Sequence, residues 1–99
     1  MGHGYTLFEE AVVKRGRMLT PSFLDYRVPT ALDVPEIEIT LVKTNDAGGP
    51  FGAKECGEGS TAPVAPSIAN AIYDALGVRI KALPITPEKI IKALRKAKS

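Results

Sequence analysis

The sequence predicts an α+β domain in which a small mixed sheet is covered by about three helices. Three observations carry that reading. The stretch EIEITLV, Glu36 to Val42, alternates strictly: Ile37, Ile39 and Leu41 face one way, Glu36, Glu38 and Thr40 the other. That is the pattern of a half-buried strand. Apolar residues recur at three- and four-residue intervals around Tyr5 and again around Ile68, and a glycine follows each run. Finally, Thr86-Pro87 spells a helix start just ahead of Ile90, Ile91 and Leu94.

Taken in order, Tyr5, Leu7, Phe8, Ala11 and Val12 predict an amphipathic helix over 4–14, ended by Gly16 with Lys14 and Arg15 in its last turn. LTPSFLDYRVPTALDVPE follows. Pro21, Pro29 and Pro35 exclude a helix there, and Phe23 and Tyr26 predict a loop packed on a surface. The strand 36–42 comes next, then the turn TNDAGGP and a Gly-rich segment. A second helix is expected over 61–76, with Pro63 and Pro66 in its first turns and Gly77 as its stop. VRIKALPI reads as short and β-like, and the last helix follows Thr86. One strand cannot satisfy its own backbone groups. Either VRIKALPI and RMLTPSFL supply partners for 36–42, or another polypeptide completes the sheet.

Ninety-nine residues suit a single domain, 1–99, that buries roughly 65% of the surface its unfolded chain exposes. A net charge of +2 is too small to predict a nucleic-acid partner, and Lys92, Arg95, Lys96 and Lys98 read as a solvated helix end that complements the dipole. No apolar run reaches the roughly 18 residues of a membrane span. The single cysteine, Cys56, excludes an internal disulfide and favours a cytoplasmic setting. His3, the one histidine, reads as a packing residue, because a metal site needs more ligands than it can gather; no metal ligands are assigned.

The segment GPFGAKECGEGSTAPVAP places charge among glycines and prolines. Glycines let backbone approach a ligand closely, and a helix start adds a favourable dipole. Glu58 stands just ahead of the second helix. Its carboxylate has two readings: a cap for Ser60 and Thr61, or a base if partly desolvated. Lys54 and Glu55 read as ion-pairing residues that hold the loop. Cys56 reads as a small packing side chain, since a lone thiol without a neighbouring base is poor evidence for a nucleophile.

GPFGAKECGEGSTAPVAPSIANAIYDALGVRIKALPITPEKI resembles the C-terminal end of the molybdenum-binding large subunit of the xanthine dehydrogenase and aldehyde oxidase family. GYTLFEE and PSFLDYRVPTALDVPEIE resemble the stretches that precede it there, so the resemblance covers essentially the whole chain. The spelling GAKECGEG is similar to the bacterial 4-hydroxybenzoyl-coenzyme A reductase branch. The resemblance implies hydroxylation of an aldehyde, a heterocycle or an aromatic acyl thioester, with water as the oxygen source. It places the family's proton-accepting glutamate at Glu58, within the Gly57-Glu58 pair, and puts Gly52, Ala53, Cys56 and Gly57 in the cofactor loop. It implies molybdopterin, as the molybdenum cytosine dinucleotide, in the assembled enzyme and none on the isolated chain. It implies as partners the rest of a molybdenum large subunit together with iron–sulfur and flavin subunits.

Family large subunits are several times longer, and Met1 stands near a place where they often carry a pterin-contacting glutamine. A separate small subunit, a truncated gene product and an excised fragment all accord with that difference. The expected function is therefore one piece of a molybdenum hydroxylase, inactive alone. The alternative is a non-catalytic, self-associating interaction module that keeps the fold.

Overall fold

The computed structural model describes residues 1–54 and 57–98. In chain order it holds α1 (Gly2–Leu7), β1 (Val13–Lys14), β2 (Arg17–Met18), 3₁₀ turns at Pro50–Gly52 and Glu58–Ser60, α2 (Val64–Leu76) and α3 (Pro87–Ala97). The helices broadly follow the sequence. The sheet does not.

The first helix stops at Leu7, well short of Lys14. Phe8 leaves helical geometry at φ −126°. Glu9 then turns to accept a hydrogen bond of 2.6 Å from the Tyr26 hydroxyl, which holds the phenolic proton and raises Tyr26 above its ordinary pKa. Beyond it, Val13 pairs with Met18 and Lys14 with Arg17 in an antiparallel hairpin. Its two loop residues, Arg15 at φ 51° and Gly16 at φ 75°, are both left-handed, as a type I′ turn requires. Gly16 is thus a hairpin residue, not a helix stop. The adjacent β-branched pair Val12-Val13 is stiff at χ1 and favours the extended form.

α1 lies against α2. A methyl group on Gly2 would come within 2.6 Å of Val64 Cβ, so this approach needs glycine. Thr6 is fully buried. Its hydroxyl donates to the Gly2 carbonyl at 2.7 Å, and its own carbonyl accepts the Ile85 N–H at 2.6 Å. Val78 and Ile85 are buried apolar side chains, with Pro84 buried beside Ile85. VRIKALPI therefore forms no strand: it carries these residues inward and commits the Ile85 amide to α1. α3 begins as predicted. The Thr86 side chain accepts from the Lys89 amide, with Pro87 at the first helical position, and Lys89 Nζ donates to the Leu83 and Pro84 carbonyls at 3.1 and 2.8 Å.

The alternating stretch 36–42 joins no ladder among the described residues. Ile37, Ile39 and Leu41 are 65%, 78% and 83% exposed. The reason is a shortage of partners, because β2 pairs with β1 and 78–85 is held by α1. The small mixed sheet covered by helices reduces, in this chain, to one hairpin beside packed helices. Surface measures agree. The Cα radius of gyration is 17.6 Å, against about 13 Å for a compact domain of this length. Accessible surface is 8607 Å², where a folded monomer of this mass exposes about 5,500 Å². No helix among the described residues is long and apolar enough to cross a membrane.

Two outcomes are expected. Gly77 closes α2 at φ 68°, its amide on the Tyr73 carbonyl, and a methyl group there meets nothing within 4 Å. Gly77→Ala therefore costs backbone strain alone, about 1 kcal/mol, seen as a lower urea midpoint. In hydrogen exchange on the chain by itself, the amides of 36–42 exchange at close to random-coil rates while those in the middle of α2 are protected. Protection across 36–42 would mean that the strand is paired within the chain.

Candidate functional site

The Gly-rich segment folds as two tight turns. Asp46 organises the first: its carboxylate accepts the Gly48 amide at 2.8 Å, its amide donates to the Gly52 carbonyl at 3.1 Å, and its carbonyl accepts from Gly49 at 3.2 Å. Pro50 opens the 3₁₀ turn at its first position, where a missing N–H costs least. Phe51 and Gly52 then take φ 55° and 75°. A methyl group on Gly49 would collide with the Ala53 carbonyl oxygen, so that position needs glycine. Lys54 reaches back to Asp46 at 3.6 Å, an exposed pair that helps to hold the loop.

This geometry changes what the loop offers. The amides of Gly52 and Ala53 donate to the Gly49 and Pro50 carbonyls at 3.1 and 3.0 Å. They are spent within the turn and are not aimed at a ligand. What remains is a hollow of about 340 Å³ between residues 42–45 and 51–54, in whose wall Gly52 and Ala53 carry little or no side chain. Phe51 belongs to that wall and escaped the sequence reading. An aromatic residue at positive φ is rare, and its ring is fully exposed. The GPFG spelling, with proline before and glycine after, is the signal that would have found it.

The second turn, Glu58–Ser60, leads into α2. Ser60 Oγ donates to the Gly57 carbonyl at 2.7 Å, and the Thr61 amide donates to the Glu58 carbonyl at 3.0 Å. Glu58 is exposed. Among the described residues its carboxylate has no hydrogen-bond or ion-pair partner. It does not cap α2, whose N-cap is Pro63 with no side-chain cap. The capping reading of Glu58 is thereby corrected: proline intervenes, and the turn's own hydroxyl does the local bonding.

The structure therefore brings Gly52 and Ala53 together at the hollow and carries Gly57 and Glu58 on the following turn, outside its lining. Glu55 and Cys56 lie outside the described residues. His3 packs its ring against Phe8 at 5.5 Å between centroids, as a packing residue does. No group of residues among those described could hold a metal ion.

Comparison with known proteins gives these turns a setting. Residues 1–35 match the family model of the molybdopterin cofactor-binding domain. The chain is 41% identical over 92 residues to the putative xanthine dehydrogenase molybdenum-binding subunit XdhA of Escherichia coli K12, covering 91% of this chain and 12% of that one. It is 35% identical over 97 residues to the aldehyde oxidoreductase molybdenum-binding subunit PaoC of the same organism, covering 95% and 13%. Its structure is similar to quinoline 2-oxidoreductase from Pseudomonas putida 86, with a TM-score of 0.76 and 35% identity over 96% of this chain and 13% of that one. The chain thus spans about an eighth of the length of these relatives. Over nearly all of its residues, sequence and structure alike match this chain to part of the molybdenum-binding subunits of the xanthine dehydrogenase and aldehyde oxidoreductase family.

Proposed function

We propose that this chain is one segment of the cofactor-binding body of a molybdenum hydroxylase, and that Glu58 is its general base. The observation that carries the proposal is the Glu58 carboxylate: exposed, without a partner among the described residues, and set on a 3₁₀ turn ahead of α2. A base must reach its proton before its pKa matters, and no local bond here has to be broken first. When bound, the molybdenum–pterin group supplies the two-electron oxidation of substrate. Glu58 takes the proton released as oxygen from water is delivered.

The loop suits such a group as a wall. Gly52, Ala53 and Gly57 offer close approach because they carry little or no side chain, and the sequence sets Cys56 in the same stretch. Since the Gly52 and Ala53 amides are already bonded, the hydrogen bonds that hold the pterin come from the remainder of the large subunit. That remainder is the first partner, with iron–sulfur and flavin subunits as electron acceptors. The exposed stretch 36–42 supports this assembly, since an unpaired alternating strand is a template for pairing with another chain. The GAKECGEG spelling favours an aromatic acyl thioester as substrate.

Two measurements test the proposal. In the enzyme assembled from this chain and the remainder of its subunit, Glu58→Gln lowers kcat by about 10²–10⁴-fold with molybdenum content unchanged. Near-normal turnover would remove Glu58 from the mechanism. In the same assembly, hydrogen exchange shows the amides of 36–42 protected. Continued fast exchange there, in an active complex, would show that the strand is not the docking element.

A further inference from the structure

The lysines of α3 read in sequence as a solvated helix end, but the structure sets other cations opposite them. Lys89, Lys92 and Lys96 lie at i, i+3 and i+7, one face of α3. Arg79 and Lys81, from the segment after α2, line the same hollow of about 380 Å³. No carboxylate lines it, and none of the five cations is in an ion pair among the described residues. Two are held by neutral groups. The Arg79 guanidinium stacks 3.9 Å over the Tyr73 ring and donates to Asn70 Oδ1 at 2.9 Å. Lys89 Nζ is tied to two backbone carbonyls. These contacts fix the positions of the charges without neutralising them. Like charges at i, i+4, such as Lys92 and Lys96, repel, and an anion between the two elements relieves that repulsion.

We propose that this hollow binds a small organic diphosphate. In an organic diphosphate the inner phosphate carries one charge and the terminal one about −1.5 to −2 at neutral pH, so the pair matches about three of these cations. Arg presents a planar fork to phosphate oxygens and Lys a compact point charge. The floor, formed by Ile80, Ala82 and Ala93, is apolar and takes the organic part. The site shares no lining residue with the Gly49–Ser60 turns, so it stands independently of the molybdenum reading.

The test titrates the ¹⁵N-labelled full chain with ADP, and separately with sodium chloride at matched ionic strength. Saturable binding is expected, with shift changes concentrated at 79–82 and 89–96, and ADP should bind more tightly than inorganic pyrophosphate because of the apolar floor. Lys92→Gln with Lys96→Gln weakens binding by about tenfold or more, the loss of charged hydrogen bonds. Lys81→Gln, off the helix, weakens it independently of any effect on α3. Lys14→Gln with Arg17→Gln, in the hairpin, leaves it unchanged. Non-saturating shifts spread over all exposed lysines, or equal loss in the hairpin variant, would overturn the proposal. So would tighter binding of a decaglutamate peptide or a single-stranded oligonucleotide than of ADP, which would assign the surface to an acidic macromolecule.

Discussion

The seat of α1 on α2 is the contact on which the rest of the molecule depends. It joins the two ends of the chain: Gly2 lies against Val64 at the start of α2, and the Thr6 carbonyl takes the amide of Ile85. Thr6 is fully buried, so its hydroxyl and its carbonyl both need partners. Its hydroxyl finds the Gly2 carbonyl and its carbonyl finds Ile85. Leaving one such group unpaired costs about 1–3 kcal/mol. By committing Ile85, this contact also decides that 78–85 is not a strand, and so leaves 36–42 without a partner inside the chain. The missing sheet follows from the packing that is present.

The uncovered surface follows from the same arrangement. The chain exposes about 3,100 Å² more than a folded monomer of its mass. A standard interface takes about 800 Å² from each partner. The excess is several times that. The turns around the candidate site belong to the exposed part. Phe51 holds positive φ, which costs of the order of 1–3 kcal/mol, and the Asp46 network and the Gly49–Ala53 packing keep it there. Strain kept in place while its aromatic ring is exposed accords with a ring that meets its partner only after assembly.

Sequence made legible whatever local rules decide. α3 was readable from Thr86 and Pro87, and the end of α2 from Gly77, because caps act within a few residues. The Gly-rich stretch was readable as a tightly bent backbone, which Gly49 and Gly52 make possible. What escaped was non-local or competitive. The helical spacing through Val12 lost to a hairpin because Arg15-Gly16 can take two left-handed residues in succession. The strand 36–42 has the right alternation, yet a ladder needs a neighbour and no local rule reports its absence. Arg79 and Lys81 came to face the α3 lysines only through the packing of 77–85. At the site, Glu58 was readable as a carboxylate ahead of a helix, but only the fold shows that Pro63 denies it the capping role.

On the proposed reading, this chain completes a molybdenum site that it does not form alone. Molybdenum content measured on the chain purified alone, and on the chain co-expressed with the remainder of its large subunit, tests this most directly. No bound metal is expected on the chain alone, and close to one molybdenum per complex. Stoichiometric molybdenum on the isolated chain, or a remainder that loads fully without it, would show that the chain does not complete the site.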